Sequence, residues 1–105
     1  MRTRLCTDCR YSLQQDYGYS NYTVEGTHVD CLLQLNPGLP TDRWYGDSPE
    51  LAYAAHCARF VAGEGIMVEV EDALEKVIRD WEDAELRALG TAWLDRGVPQ
   101  GFDEF

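Results

Sequence analysis

Four cysteines, two of them in a C-x-x-C motif, are the residues of this sequence best suited to chemistry. Cys6 and Cys9 form the motif, and Cys31 and Cys57 follow after gaps of 21 and 25 residues. A C-x-x-C turn directs two sulfurs at one ion, and Zn²⁺ favours four soft or borderline ligands in a tetrahedron. Because loop-closure entropy grows slowly with loop length, the long gaps do not argue against one site. The sequence therefore predicts a structural Zn²⁺ held by all four cysteines.

Two histidines are alternative ligands, and the thiols have alternative roles. His28 lies three residues before Cys31, and His56 is adjacent to Cys57, so either histidine could replace a cysteine. On a strand, His28 and Cys31 would point to opposite faces, which argues against both binding one ion. Two other roles stay open for the thiols: buried free cysteines that pack as small hydrophobic residues, or a redox pair, for which the flanking strand and helix are not indicated.

Motifs for catalysis are absent from the sequence. A catalytic zinc keeps one coordination position open for water, whereas four cysteines fill the sphere. The zinc-deaminase, H-E-x-x-H, G-x-S-x-G and Walker A patterns do not occur. Glu25, His28 and Asp30 are the candidate acid–base group of a small metal-dependent enzyme, and the blander interpretation is a solvated strand face. The sequence thus favours a protein that is not an enzyme.

A strand is predicted to carry Cys31. Polarity alternates over residues 28–35, with Val29 and Cys31 on one face and His28 on the other. A turn at Glu25-Gly26 would make this strand the second arm of a hairpin.

A middle helix is predicted to carry Cys57. Ser48-Pro49 has the N-cap hydroxyl and first-position proline of a helix start. The helix should run from 49 to about 62, end at Gly63 and turn Cys57 toward the core.

A long acidic helix is predicted near the C-terminus. Residues 66–70 form either a short strand or the lead into that helix, and residues 71–89 carry an apolar stripe at helical spacing. Gly90 is expected to kink or end it. Acid-first pairs at i,i+4 support the helix: Asp72–Lys76, Glu75–Arg79 and Asp83–Arg87.

The expected fold class is α+β, with a zinc-stapled N-terminal β-hairpin region packed with a middle helix and a long acidic C-terminal helix. Its 105 residues suit a single domain. We expect a zinc-binding region at 1–65, an acidic helical region at 66–97 and a tail at 98–105, frayed unless its phenylalanines dock.

Charge restricts the class of partner. Nineteen acidic residues against nine basic ones give a formal net charge of −10, and a four-thiolate zinc cluster would make it about −12. Non-specific nucleic-acid binding depends on neutralising phosphates with Lys and Arg, so direct binding is disfavoured. A nucleic-acid-associated regulator has its only support in Arg2, Arg4 and Arg10 near the N-terminus. A protein with a basic surface is the better match.

Candidate contact residues are the large aromatics and their neighbours. Arg43, Trp44 and Tyr45 form an unusual loop of residue types that are enriched at binding hot spots, although the two aromatics could equally cap the core. Trp81 lies in the 69–85 stretch, which holds eight acids. That stretch is either a solvated helix face or part of a partner-binding surface.

The protein is predicted to be cytoplasmic. No apolar run of 18 residues occurs, and no apolar stretch of signal-peptide length follows the first arginines. Thiols stay reduced in the cytosol, where C-x-x-C more often means metal or redox chemistry than a structural disulfide.

A wider pattern covers residues 6–65: the motif Cys6-Thr7-Asp8-Cys9, the segment YSNYTVEGT at 19–27, Cys31, Asn36-Pro37, and DRWYG at 42–46. It resembles small uncharacterised cysteine-containing proteins of actinobacteria and their bacteriophages. The resemblance implies a small cytosolic zinc-binding protein and no particular activity. Together the observations predict a non-enzymatic acidic adaptor or inhibitor, acting on a host protein if it is encoded by a phage.

Overall fold

A four-stranded mixed sheet flanked by helices forms the centre of this α+β fold. The computed structural model describes residues 4–18, 25–44, 49–69, 72–99 and 102. None of the described helices is long and apolar enough to cross a membrane. The elements, in chain order, are a first 3₁₀ helix (Cys6–Asp8), β1 (Ser12–Gly18), β2 (Glu25–Cys31), β3 (Thr41–Trp44), a second 3₁₀ helix (Pro49–His56), β4 (Ile66–Glu69), α1 (Leu74–Arg79) and α2 (Ala84–Arg96).

The sheet has the order β3-β2-β1-β4. β1 and β2 pair antiparallel, with Ser12 opposite Cys31 and Gly18 opposite Glu25. β4 pairs parallel to β1, a long-range contact that the sequence pattern did not indicate. The predicted turn at Glu25-Gly26 is wrong, because both residues already belong to β2. β1 ends at Gly18 and β2 begins at Glu25, and the residues between them are outside the described part of the chain.

β2 ends at Cys31 and not at residue 35. The chain turns immediately afterwards: the Leu32 N–H donates to the Tyr11 carbonyl at 2.8 Å, and the Gln34 N–H donates to the Cys31 carbonyl at 3.0 Å. Gln34 takes a positive φ of 56°, which lies outside the β region. The local bond from Gln34 to Cys31 takes the place of a ladder bond that a longer strand would need, whereas the bond from Leu32 to Tyr11 joins the end of β2 to the residue before β1.

Each face of the sheet carries its own apolar cluster. On one, which we call the helix face, Leu13, Ile66 and Val68 pack with buried residues of α1 and α2. On the other, the cysteine face, Val29 packs with Cys6, Leu51 and Ala54 from the two 3₁₀ helices. Because side chains alternate along a strand, β2 sends Val29 and Cys31 to the cysteine face and His28 to the helix face.

The predicted middle helix over 49–62 is wrong in type and length. It is a 3₁₀ helix that stops at His56, and its buried residues are Leu51 and Ala54, whereas Val61 is 44% exposed. The backbone of residues 61–63 bonds to the N-terminal turn instead of continuing a helix. The Arg10 N–H donates to the Val61 carbonyl at 2.7 Å, and the Gly63 N–H donates to the Asp8 carbonyl at 3.0 Å.

The predicted long helix over 71–89 is two helices, α1 and α2. The break follows from Asp83, whose Oδ1 accepts a hydrogen bond from the Leu86 N–H at 3.1 Å and thereby caps a new helix. α2 itself holds two acidic residues and two arginines. Most of the acidic residues of the predicted helix therefore lie before α2. The pairing of Arg79 with Glu75 at 2.9 Å confirms one predicted ion pair.

α2 continues through Gly90 without ending there. A Cβ atom at Gly90 would lie 2.5 Å from Cγ2 of Ile78 and 3.0 Å from Cδ1 of Ile66. The missing side chain therefore lets α2 approach α1 and β4 closely. Beyond α2, Phe102 is 7% exposed and packs edge-on against Trp93, with ring centroids 5.2 Å apart. This part of the tail is docked.

Candidate metal centre

The four cysteines line one cavity on the cysteine face. Cys6 lies in the first 3₁₀ helix and Cys9 directly after it, while Cys31 ends β2 and Cys57 follows the second 3₁₀ helix. All four are free thiols. The cavity volume of about 20 Å³ is close to the roughly 10–15 Å³ that a single water needs. Three separate segments of the chain thus bring four cysteines to the lining of one small cavity.

Local hydrogen bonds shape residues 6–9, which we call the knuckle. The Cys9 N–H donates to the Cys6 carbonyl at 3.1 Å, and the Leu5 N–H donates to Oδ2 of Asp8 at 3.1 Å. The Ser12 hydroxyl donates to the Cys9 carbonyl at 2.9 Å and accepts from the Gln14 side chain at 3.1 Å. These bonds fix the backbone of the knuckle, and both of its cysteines line the same cavity.

The segment after Cys57 is tied to the knuckle. Ala62 forms an isolated β-bridge with Cys9. The Arg4 guanidinium lies over the Phe60 ring at 4.6 Å and donates to the Ala55 carbonyl at 3.2 Å. Cys57 directly follows the second 3₁₀ helix, and contacts with the N-terminal segment hold the residues on both sides of it.

Cys6 is the most buried of the four thiols, at 9% exposure. Burial is the main reason that its pKa is raised, and nearby Cys31 and Cys9 raise it further. Two hydrogen bonds act in the opposite direction on this pKa, one from the Asn36 side chain at 3.2 Å and one from the Ala54 backbone. A cation in the cavity would reverse the balance, since it would favour the thiolate form of each cysteine.

The thiols share a cavity without forming a coordination sphere. Among the described residues, no three His, Cys, Asp or Glu side chains are arranged to hold a metal ion as they stand. Neither histidine lines the cavity. His28 is buried on the helix face, with its ring centroid 5.4 Å from that of Phe102, and His56 is exposed.

Of the three residues predicted as an acid–base group, only Asp30 lines the cysteine cavity. Asp30 lines the cavity with the cysteines, whereas His28 does not, and the side chain of Glu25 is outside the described residues. Oδ2 of Asp30 accepts from Nε1 of Trp93 at 2.7 Å, and Oδ1 accepts from the Cys31 N–H at 2.7 Å. Burial raises the pKa of Asp30, and both hydrogen bonds oppose that rise. Asp30 is thus a buried carboxyl group whose orientation is fixed by two hydrogen bonds.

Of the four predicted partner-binding residues, only Trp81 has a described side chain. Arg43 and Trp44 belong to β3, but their side chains are outside the described residues, as is Tyr45 altogether. Trp81 is half-buried against the helix-face cluster. Its indole therefore contributes to packing where α1 meets α2.

Two of the three N-terminal arginines, Arg4 and Arg10, are engaged within the described part of the protein. Arg10 donates to both oxygens of Asp83 at 2.8 and 2.9 Å and to Oε1 of Glu85 at 2.9 Å. Arg4 is engaged with Phe60, and Arg2 lies outside the described residues. The predicted i,i+4 partner of Asp83 was Arg87, whereas its salt-bridge partner in the structure is Arg10.

Asn36 was missed as a residue of the site. Its Nδ2 donates to Sγ of Cys6 at 3.2 Å and to the Glu50 carbonyl at 2.7 Å, and its Oδ1 accepts from the Gly38 N–H at 2.8 Å. An Asn before Pro-Gly is the sequence signal of an Asx turn, in which the side chain bonds to the backbone two residues on. That signal predicts the bond to Gly38 but not the bond to a sulfur across the fold.

Comparison of the chain with protein-family models, curated proteins and solved structures finds no match. The site is therefore interpreted from its own residues.

Proposed function

We propose that this protein is a non-enzymatic, zinc-stabilised acidic module that binds a partner protein through its negative surface, as an adaptor or inhibitor. The observation that carries the proposal is the cavity that Cys6, Cys9, Cys31 and Cys57 line together. These residues come from sequence positions up to 51 apart, so their common cavity is a property of the fold.

The donor set suits a structural zinc ion. Four thiolates satisfy Zn²⁺ and leave no position open for a reacting water. The Asn36 amide, which donates to Sγ of Cys6, is the kind of outer hydrogen bond that orients a ligand and supports its charge. Bound zinc would supply cross-linking and no chemistry. Binding requires the four sulfurs to approach one another more closely than they do in the structure.

Such an ion would cross-link segments of the chain that are not joined to one another by strand pairing. It would join the knuckle, the end of β2 and the residue after the second 3₁₀ helix. A domain of this length buries about two-thirds of its unfolded surface, so its apolar core is modest. Since unfolded chains lack a formed site, the free energy of zinc binding would add to that of folding.

The negative surface is the second part of the proposal. We define the acidic stretch as the exposed acids of residues 69–85: Glu69, Asp72, Glu75, Asp80, Glu82 and Glu85. Two nearby cations are already engaged, Arg79 by Glu75 and Asp95, and Arg10 by Asp83 and Glu85. With a formal net charge of −10 on the whole chain, the field around this stretch favours a basic protein surface.

Affinity capture with matched charge variants tests this function. Zinc-loaded protein is immobilised in a reduced cell extract, beside the double variant Asp80→Asn/Glu82→Gln. The control, Glu50→Gln/Glu64→Gln, changes net charge equally at exposed residues outside the acidic stretch. We expect one specific partner, retained by the wild type and the control and lost from the first variant. Recovery of no specific partner, or equal loss from both variants, would overturn the proposal.

A further inference from the structure

A second concavity lies between the end of α2 and the loop after β2, on the other side of Asp30 from the cysteines. We call it the Trp93 pocket; its volume is about 340 Å³, within the range of roughly 300–1,000 Å³ that is typical of small-ligand sites. Nothing in the zinc proposal uses it. Asp30 and Asn36 line both this pocket and the cysteine cavity, so they form the wall between them.

The pocket contains a fixed carboxylate. Asp30 is 6% exposed, and each of its oxygens accepts one N–H at 2.7 Å, from Trp93 Nε1 or from the Cys31 backbone. A carboxylate offers about four acceptor sites over its two oxygens. Acceptor capacity therefore remains on a group whose orientation is already set by its neighbours.

The electrostatics of the pocket favour a positive ligand. Arg96 and Gly97, at the C-terminal end of α2, also line it, and a helix C-terminus carries a partial negative charge. Among the described residues lining the pocket, Arg96 is the one cation, and its charge opposes the rise that burial causes in the pKa of Asp30. Because Arg96 is exposed, solvent weakens its competition with a bound cation.

The remaining walls suit an alkyl chain. Pro37, Leu39, Pro40 and Pro99 line the pocket together with the Trp93 indole. Long cationic side chains characteristically lay their methylene stems along apolar surface while the charged head meets a polar group.

We infer that the Trp93 pocket binds an alkylammonium or alkylguanidinium group, presented as a lysine or arginine side chain of the basic partner. The cationic head contacts the Asp30 carboxylate, and the stem lies against Leu39 and the prolines. This inference rests on the proposed function for the source of the side chain, but the binding chemistry belongs to the pocket alone.

The test is an NMR titration of the zinc-loaded, ¹⁵N-labelled protein. The probe is the indole N–H signal of Trp93, assigned with Trp93→Phe, because this group is bonded to Asp30. The ligands are N-acetyl-lysine N-methylamide, N-acetyl-arginine N-methylamide, the free diamine putrescine, and uncharged N-acetyl-norleucine N-methylamide. We expect saturable shifts with the lysine or arginine compound and none with the norleucine compound. Saturation by putrescine alone would overturn the side-chain source and leave a small-amine site.

Two variants at the pocket decide the sign of the ligand charge. Asp30→Asn should abolish the shift, but it also leaves a single acceptor oxygen for the two N–H groups of Trp93 and Cys31. Arg96→Gln therefore provides the independent measurement: it should tighten cation binding about two- to fivefold, the range for removal of one exposed like charge. Loss of cation binding in Arg96→Gln, or a response to acetate that this variant abolishes, would overturn the inference.

The same titration separates the two proposals. Asp80→Asn/Glu82→Gln lies outside the pocket lining and should leave the Trp93 response unchanged within twofold. A normal pocket titration together with failed affinity capture would contradict the partner proposal and support the pocket chemistry. The reverse combination would contradict the pocket and support the acidic stretch.

Discussion

The side-chain amide of Asn36 donates one hydrogen bond to Sγ of Cys6 at 3.2 Å and another to the Glu50 carbonyl at 2.7 Å. A single buried nitrogen thus joins the loop after β2 to the knuckle and to the second 3₁₀ helix. An N–H directed at sulfur favours the thiolate, the form that binds metal. Asn36 is accordingly the residue through which the loop supports the proposed zinc site.

Asn36→Asp should weaken zinc binding about 10- to 100-fold, the usual effect of losing an outer-shell partner of a metal ligand. The aspartate can still accept from the Gly38 N–H, but it puts a negative charge beside Sγ of Cys6 and removes both donated bonds. Competition with a chromophoric chelator measures the change. Gln34→Glu, in the same loop and exposed, is the control and should alter affinity by less than twofold. Equal affinities for Asn36→Asp and the wild type would remove Asn36 from the site.

Cys57 and His56 should behave differently although they are neighbours. Cys57 lines the cavity, whereas His56 is exposed and does not. Cys57→Ser should lose both its bound zinc and its cooperative unfolding transition, while His56→Gln should keep both properties. Metal content by mass spectrometry and denaturant unfolding provide the two readouts. Zinc loss in His56→Gln with retention in Cys57→Ser would make the histidine the ligand.

Asp83 should link stability to acid pH. Its hydrogen bonds to Arg10 and then to the Leu86 N–H lower its pKa from 3.8 to about 2. Because the folded pKa lies below the unfolded one, this carboxylate stabilises the protein above about pH 4, and the contribution is lost as pH falls toward 2. Asp83→Asn keeps an acceptor for the Leu86 N–H but cannot make the ion pair.

The stability difference between wild type and Asp83→Asn should therefore be largest above about pH 4 and shrink below it. Arg10→Gln should show the same trend, and the double variant should be little worse than either single one, since both remove one interaction. Urea unfolding at several pH values measures these differences. A difference that is constant with pH would contradict the ion pair as its cause.

Gly90→Ala should destabilise the protein despite improving helix propensity. Alanine gains about 1 kcal/mol over glycine in a helix interior, but overpacking a filled core costs about 1–3 kcal/mol. The new methyl group would lie 2.5 Å from Cγ2 of Ile78. This carbon belongs to a β-branched side chain, which has little rotational freedom in a helix. The control is Ala88→Gly, exposed on the same helix, which should show the propensity loss alone. A higher melting temperature for Gly90→Ala would contradict the close packing of α2.

The local patterns of the sequence predicted several features correctly. Alternating polarity located β2 through Cys31, and β4 at 66–69 is one of the two alternatives, a strand or the lead into a helix, that the sequence left open. The apolar spacing identified Leu74 and Ile78 as core residues. The C-x-x-C motif indicated a turn that presents two sulfurs, and all four cysteines do line one cavity. These features depend on short-range chemistry, which a sequence displays directly.

The features that were wrong or missed depend on distant partners. The helix over 49–62 stops early because residues 61–63 bond to the knuckle about 50 residues away. The helix over 71–89 breaks where Asp83 caps α2 and meets Arg10, 73 residues away. The bond of Asn36 to Cys6 spans 30 residues. No local propensity encodes such contacts, and each one changed the ends of an element or the surroundings of the site.

The central claim, that the four cysteines hold one structural zinc ion, is tested most directly by metal content. Protein is purified without added metal under reducing conditions, and its zinc is counted by mass spectrometry, with Cys6→Ser and Cys57→Ser as comparisons. We predict one zinc per chain in the wild type, absent from both variants and accompanied by loss of cooperative unfolding. Wild-type protein that is folded without metal, with both serine variants equally stable, would contradict the account.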